Sequence, residues 1–292
     1  MSYKLGISAI NWVNEDVLAI GDHYTCDDVL TEMSQLGFLG TEYCRKFPRD
    51  VDQLKKKLAD KGMVLTSQWK SVMFSDPDRR EEEMKAFREH ADFLRAMGCS
   101  HVVTCETSYA FSDPRGRRSS LTDDEWSHMV EGLHAAGQYC RDHGMKLVYH
   151  YHAETVVEGR EPIRRLVETT DPELVHLLYD TGHAYYGGSD PLELLQTYYD
   201  RIAYIHLKDV RKDVLEWKRA NGIGFTDAVV KGLFTVPGDG CIDFRPILRE
   251  LRDRGYDGWI IIEAEQDPAV AEPVEYANKA LDYIDRVEKE LQ

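Results

Sequence analysis

Acidic, imidazole and other polar side chains recur along this chain of 292 residues, each just after a short apolar segment. A buried strand would exclude such residues, so their repeated placement at the ends of apolar segments indicates a function. In chain order they are Glu42, Gln68, Glu106, His150, His152, Glu154, Asp180, His183, His206, Lys208, Asp209, Glu263 and Glu265. Carboxylates and imidazoles that converge on one point can bind a divalent metal and transfer protons. The sequence therefore predicts a metal-dependent enzyme.

Three of these residues are predicted metal ligands. Asp180 ends the segment LLYD, and Glu263 ends WIIIE, where an unpaired buried carboxylate would be costly. His206 lies between two apolar residues, so its side chain faces the opposite way from theirs. Mixed oxygen and nitrogen ligands suit Mn²⁺, Co²⁺, Fe²⁺, Zn²⁺ or Mg²⁺, and the residue types leave the choice among these metals open.

A fourth ligand is expected from the segment YHYHAE. His150 and His152 are two residues apart, so on a strand their side chains share a face. We assign His150 as the ligand and His152 as a neighbouring acid or base. Glu154 replaces either histidine if the strand ends early.

The predicted proton carriers are His152, His183, Lys208 and Glu265, with no division of roles among them. Lys208 lies two residues after His206 and so shares its face, but an ammonium is a poor ligand for a cation. Its alternative role is a salt bridge. Substrate-binding residues are predicted at other strand ends, in an aromatic wall and after the seventh strand: Trp12, Glu42, Gln68, Trp69, Glu106, Glu154, Asp209 and Arg211.

Eight apolar segments that alternate with helical patterns would position these residues. They are residues 5–10, 39–43, 64–69, 101–105, 146–152, 174–180, 203–208 and 258–263. Eight such repeats predict an α/β fold, a single (β/α)8 TIM barrel over residues 1–292, in which functional residues collect at the carboxyl ends of the strands. No GxGxxG follows the first segment, which disfavours an open dinucleotide-binding sheet. Residues 211–234 are predicted to be an active-site insertion, mobile until it closes over substrate.

The composition excludes several classes of partner. The formal net charge is −16, which disfavours nucleic acids and anionic membranes. The six cysteines form no CxxC pair, and the chain begins without a secretory signal pattern, so we expect reduced thiols and a cytoplasmic location. The partner expected is a small polyhydroxylated ketone, and the oligomeric state stays open between a monomer and a homo-oligomer.

Several segments resemble those of the inosose dehydratases, a family within the xylose-isomerase-like barrel superfamily. These are LLYDTGH, YIHLKDVR, FTVPGDG and GWIIIEAEQDP, and YHYHAET and GFLGTEY also fit. The resemblance implies a hydro-lyase that removes water from scyllo-inosose (2-keto-myo-inositol) in inositol catabolism, with Mn²⁺ or Co²⁺ as cofactor. Related sugar epimerases bind their metal through Glu, Asp, His and Glu. Asp180, His206 and Glu263 match the last three, whereas the first Glu falls at or beside His150.

Three other functions remain to be separated from dehydration. A ketose epimerase or isomerase of the same fold is the main alternative, although the absent first Glu counts against the two-base mechanism of the epimerases. An apurinic endonuclease is disfavoured by the acidic charge and by too few ligands for three metals. A non-catalytic binding protein is disfavoured because so many strand ends carry ionisable groups.

Overall fold

The computed structural model describes residues 3–110, 113 and 115–291. The predicted domain also includes Met1, Ser2, Phe111, Ser112, Pro114 and Gln292, which lie outside the described residues. The strands are β1 (Lys4–Ile7), β2 (Gly40–Glu42), β3 (Val64–Ser67), β4 (Trp69–Val72), β5 (His101–Glu106), β6 (Lys146–His150), β7 (Val175–Asp180), β8 (Ile202–Leu207), β9 (Asp209–Val210), β10 (Phe234–Thr235) and β11 (Trp259–Ile262).

The helices alternate with these strands along the chain. They are α1 (Cys26–Gln35), α2 (Val51–Ala59), α3 (Arg80–Met97), α4 (Asp123–Asp142), α5 (Arg160–Thr169), α6 (Thr181–Tyr186), α7 (Pro191–Tyr198), α8 (Lys212–Asn221), α9 (Phe225–Val230), α10 (Phe244–Asp253) and α11 (Pro273–Glu290). Among the described residues, none of the helices combines the length and the apolar character needed to cross a bilayer.

The helix starts follow from local capping chemistry. Thr122 caps α4 in a capping box with Glu125, within the segment SLTDDEW. Thr25 and Asp28 form a second capping box at the start of α1. Each box satisfies backbone N–H groups that have no partner within the helix.

Each of the eight predicted strands has a counterpart, and three differ from their predicted limits by more than one residue. The segment predicted over residues 5–10 ends at Ile7, and a 3-10 helix (Ala9–Asn11) follows it. The segment predicted over residues 64–69 is divided at Gln68 into β3 and β4. The segment predicted over residues 146–152 ends at His150, so His152 lies beyond the strand. A run of apolar residues predicts the position of a strand. It does not show at which residue that strand stops pairing with the neighbouring strand.

The chain forms two compact units. The first consists of residues 1–66 and 205–292, and the second of residues 67–204. In the first unit, β2, β1, β11 and the end of β8 lie side by side in that order, all parallel. Gly6 is needed in β1 because a Cβ there would lie 2.7 Å from the Gly40 carbonyl oxygen and from the Ile261 side chain. At Gly6, β1 therefore packs closely against both β2 and β11.

In the second unit, β4, β5, β6 and β7 form a parallel sheet in that order. β5 and β6 are largely buried on both faces, as inner parallel strands are, and Val102, Val103, Leu147 and Val148 are almost completely buried. Helices follow three of the four strands directly in sequence, which is the usual connection between parallel neighbours.

The predicted insertion, residues 211–234, is helical over most of its length. It consists of α8 and α9, and it begins and ends at the antiparallel pair of β9 and β10, where Val210 pairs with Phe234. Arg211 crosses the base: its guanidinium donates to the Gly232 carbonyl and to Asp239 at 2.8 Å each.

Candidate functional site

Strand register places His150 and Asp180 on one face of the second unit. His150 pairs with Leu178, and Asp180 lies two residues further along β7, so the two side chains share a face. Both are buried, and His150 Nε2 lies 3.6 Å from Asp180 Oδ2. The second Asp180 oxygen, Oδ1, accepts a hydrogen bond from His183 N at the start of α6. Asp180 therefore both caps a helix and presents an oxygen to His150.

The hydrogen bonds of His150 define which ring nitrogen carries its hydrogen. Its Nδ1 lies 2.6 Å from the carbonyl oxygen of Tyr151, which can only accept, so Nδ1 carries the hydrogen. Nε2 then presents a lone pair toward the carboxylate of Asp180. Two electron-pair donors that face each other in a buried site are arranged as ligands of a cation, with the backbone carbonyl orienting the ring.

A second histidine pair lies beside the first. The rings of His152 and His183 are 3.8 Å apart between centroids, and His183 lies 5.2 Å from His150. His152 Nδ1 is 2.8 Å from the Ala153 carbonyl, so Nδ1 carries its hydrogen and Nε2 a lone pair. His183 is the reverse case, because its Nδ1 accepts from Ala153 N at 3.2 Å and its hydrogen is on Nε2. The pair therefore combines one acceptor with one donor.

Trp69 lies against these rings. Its indole meets His150 and His152 edge to face at centroid distances of 5.4 and 5.3 Å, and the residue is 38% exposed. Gln68 is half-buried at the break between β3 and β4, where its carbonyl oxygen accepts from His90 Nε2. Of the two, Trp69 offers an accessible apolar surface beside the histidines.

In the first unit, register brings His206 and three charged residues to one face. Gly40, Gly6, Ile261 and His206 lie in one row across the strands. Glu42, Glu263 and Lys208 lie two positions beyond that row and so share its face. His206 Nε2 donates to Glu42 Oε1 at 3.0 Å, and Nδ1 lies 3.1 Å from Glu263 Oε2. With its hydrogen on Nε2, His206 presents the Nδ1 lone pair to Glu263.

This arrangement gives Glu42 a different position from the predicted substrate contact. A carboxylate bonded to the far nitrogen of a histidine fixes the ring and raises its basicity as a ligand. Both units therefore contain a buried imidazole nitrogen that faces a carboxylate oxygen, and these two kinds of group are common ligands of divalent cations. The sequence revealed the residue types but not which carboxylate orients which ring.

Lys208 is completely buried among acidic groups. Its Nζ lies 2.7 Å from Glu263 Oε1 and 2.6 Å from Glu265 Oε1, and 4.7 Å from the centre of the Phe234 ring. A buried ammonium requires such compensation. Lys208 thus forms salt bridges, the contacts of its alternative role, with Glu263 and Glu265 as partners.

Glu106 points away from the histidines. Thr104 pairs with Tyr149, so Glu106 lies on the sheet face opposite to His150, contrary to its predicted contact with substrate. Its carboxylate accepts from Phe74 N and from the Ser75 hydroxyl at 2.8 and 3.0 Å. Burial raises the pKa of Glu106 to about 7, although hydrogen bonds from Ser108 and Ser75 lower it. Glu106 therefore ties the segment after β4 to β5.

Glu154 and Trp12 are also held by protein contacts. The Glu154 carboxylate accepts from the Tyr186 hydroxyl and pairs with Arg117, at a residue whose φ of 61° is in the left-handed region. Trp12 is completely buried and donates through Nε1 to Glu32. Glu154 lies in the same unit as His150, and Trp12 lies in the same unit as His206. None of the contacts just described joins either predicted substrate-binding residue to that histidine.

Asp209 and Arg211 hold the turn that closes the insertion. Asp209 accepts from the backbone N–H groups of Val210, Gly238, Gly240 and Ile242. Burial raises the pKa of the Asp209 carboxyl, and these hydrogen bonds oppose the rise. Both side chains therefore hold this turn in place, and their contact with substrate stays a prediction.

Two buried amides escaped the sequence analysis. Gln266 follows Glu265 directly, and Asn11 follows β1, and their exposed fractions are 2% and 1%. The signal that could have found them is their position a few residues after the ends of β1 and β11.

The comparisons agree with this geometry. The family model described as the xylose isomerase-like TIM barrel matches residues 30–287. An inosose dehydratase of Geobacillus kaustophilus is 54% identical over 291 residues, which are 98% of this chain and 94% of the relative. An inosose dehydratase of Clostridium perfringens is 44% identical over 286 residues, or 96% of each chain.

A solved structure described as an IolI protein with a bound zinc atom has a TM-score of 0.74 at 17% identity, covering 99% of each chain. At that identity the likeness shows the fold alone. The predicted barrel class and the predicted family are confirmed. The chain belongs to the xylose isomerase-like TIM barrel family and, within it, to the inosose dehydratases.

Proposed function

We propose that this protein removes water from scyllo-inosose (2-keto-myo-inositol) with the help of one divalent metal ion. The observation that carries the activity is the identity of 54% to an inosose dehydratase over 98% of the chain. In a TIM barrel the carboxyl ends of the strands meet at one mouth.

The donor set supports a metal held by His150, Asp180, His206 and Glu263. In each unit an imidazole nitrogen faces a carboxylate oxygen, and each ring is oriented through its other nitrogen. Two imidazoles and two carboxylates suit Mn²⁺ or Co²⁺, and also Zn²⁺, Fe²⁺ and Mg²⁺. A bound cation would polarise the ketone and stabilise the negative charge that develops on its oxygen.

Dehydration also requires a base. The C–H bond next to the ketone breaks, and its proton must go to a group with an available lone pair. His152 has that lone pair on Nε2, because Nδ1–H is directed to the Ala153 carbonyl. His152 is half-buried beside the partly exposed Trp69, so substrate can approach it. We assign His152 as the base.

The departing hydroxide needs a proton or a strong donor. Two groups offer N–H donors: the ammonium of Lys208 and Nε2–H of His183. Lys208 is held between Glu263 and Glu265, which keeps its charge in a buried place and aims it from the strand end. In this proposal one of these two groups gives its proton to the departing hydroxyl, which leaves as water, while the other stabilises the negative oxygen of the enolate. Glu265 positions Lys208.

Trp69 supplies the apolar side of the pocket, against which the C–H face of a polyhydroxylated ring can pack. We also propose a cytoplasmic location, which the free thiols of all six cysteines support.

Product mass tests the proposed function. Protein loaded with Mn²⁺ or Co²⁺ and incubated with scyllo-inosose should yield a product lighter by one water, with a new ultraviolet absorbance. Chelation should stop the reaction, and metal should restore it. A product of unchanged mass would instead establish an epimerase or isomerase.

A further inference from the structure

The side chain of Gln266 is buried with neither of its polar atoms satisfied. Its exposed fraction is 2%, and no described residue forms a hydrogen bond with its Nε2 or its Oε1. Within the described part of the chain, it is the residue in which two buried side-chain atoms lack partners at once. Buried amides are normally hydrogen-bonded, and an exception in a native protein requires an explanation.

Asn11 presents a second unsatisfied acceptor, beside the end of β11, the strand that Gln266 follows by four residues. Its Nδ2 donates to Ser8 O at 2.7 Å and lies 3.4 Å from Ile262 O, which fixes the side chain against the end of β11. Its Oδ1 is buried and has no hydrogen-bond partner among the described residues. Ile262 immediately precedes Glu263, so the amide of Asn11 lies beside the strand end that bears the proposed ligand.

The chemistry of these atoms defines the ligand that would satisfy them. Together they offer two amide oxygens as acceptors and one NH₂ group as a donor. A carboxylate or phosphate has no hydrogen to give to the two oxygens. A neutral hydroxyl both donates and accepts, so a polyhydroxylated ring matches the set.

We propose that Gln266, with Asn11 Oδ1, binds hydroxyl groups of the substrate ring that do not react, and so determines which polyol ketone is accepted. This inference rests on the proposed function and adds specificity-determining residues to the same site. It explains why the protein keeps a buried amide that no described residue satisfies, because the cost is recovered only when substrate is bound.

The test compares Gln266→Met with wild-type protein, and Gln35→Met, on the exposed end of α1, is the matched control. Methionine has nearly the same length and lacks the amide. We expect kcat/KM for scyllo-inosose to fall about tenfold to a hundredfold, mostly through KM, with metal content unchanged. The Tm should stay equal to that of wild type or rise, because an unsatisfied buried group has been removed. Gln35→Met should change neither quantity.

A panel of mono-deoxy inososes supplies the second readout. For the analogue that lacks the bound hydroxyl, wild type and Gln266→Met should have the same kcat/KM, whereas for the other analogues they should differ. Binding of myo-inositol, measured by calorimetry on metal-loaded protein, supplies a third readout that needs no turnover, and Gln266→Met should weaken it.

The outcomes separate this inference from the proposed function. Wild-type protein that binds myo-inositol but dehydrates no inosose would refute the dehydratase while leaving the binding comparison to decide the role of Gln266. Equal kinetics and equal binding in wild type and Gln266→Met would overturn the inference. A lowered Tm with unchanged kinetics would also overturn it, since Gln266 would then be structural. Protein that neither reacts nor binds overturns both.

Discussion

The two units orient their ligand histidines by different means. In the second unit, His150 is held by a backbone carbonyl, and the residues around it are one carboxylate and two further imidazoles. In the first unit, His206 is held by the side chain of Glu42, and two carboxylates, those of Glu263 and Glu265, contact Lys208. The backbone contact adds no charge, whereas the carboxylate adds a negative charge that a bound cation would offset. The first unit therefore holds more negative charge around its histidine, whereas the second holds the two further imidazoles of His152 and His183.

Replacing one ligand in each unit should have the largest effect. We expect Asp180→Asn and Glu263→Gln to lose bound metal and to lower kcat by more than about a thousandfold. Asn can still cap α6, so the fold should survive in Asp180→Asn. Elemental analysis and turnover of scyllo-inosose measure both effects, with the exposed Glu173→Gln as a control. Full metal retention in both variants would refute the ligand assignment.

Removing the lysine of the first unit should affect chemistry more than metal binding. Lys208→Met should retain metal but lower kcat by about a hundredfold to a thousandfold, since a buried donor to the substrate is lost. It also leaves Glu263 and Glu265 uncompensated, which costs about 3–5 kcal/mol of stability. The companion Lys208→Met/Glu265→Gln removes part of that charge and should recover stability without recovering turnover. Turnover near the wild-type rate would make Lys208 purely structural.

Changing the orienting carboxylate should have an intermediate effect. Glu42→Leu should weaken metal affinity about tenfold to a hundredfold, because His206 loses the contact that fixes its ring. Glu42→Gln keeps an acceptor and should lose less. Metal titration by calorimetry gives both values. Equal affinities in all three proteins would show that His206 does not depend on Glu42. The corresponding contact of His150 is to a backbone carbonyl, which no substitution removes.

Glu106 allows a test of stability separate from the site. Its ordinary pKa of 4.5 rises to about 7 in the folded protein, so the folded state binds more protons between these values. The free energy of unfolding should therefore fall as the pH rises from about 4.5 to about 7, by about 3 kcal/mol. Glu106→Gln should lack this dependence. Urea unfolding of both proteins at pH 4 and pH 8 tests it, and identical pH dependence would contradict the assignment.

Protection of the insertion should be the smallest effect. We expect substrate or product to slow proteolysis within residues 211–234 by a few-fold, since such segments often close over bound ligands. The measurement is the rate of cleavage with and without saturating ligand. Equal rates would count against closure.

Much of the fold was readable from the sequence. Apolar segments predicted where the strands lie, because parallel strands are buried on both faces and leave near-continuous apolar runs. Polar residues at or near the ends of these segments made Asp180, His206 and Glu263 candidate metal ligands. Their recurrence at strand ends was informative because a barrel gathers such ends together.

The remaining details depended on register and on hydrogen bonds between distant residues. Glu106 looks like the other strand-end acids in sequence, but its register with Tyr149 turns it to the opposite face. Glu42 looks like a substrate contact until its distance to His206, 164 residues away, is known. Neither property has a local signal, since the side-chain face follows from strand pairing and not from residue type.

The insertion begins and ends at neighbouring residues, because Arg211 N donates to Leu233 O and β9 pairs with β10. Arg211 and Asp209 make closing contacts at its base. The free energy of closing a flexible loop grows slowly with its length, by about 0.6 kcal/mol for each doubling. A change in the number of residues between 212 and 232 should therefore cost little closure free energy, as long as the buried side chains of α8 and α9 keep their packing.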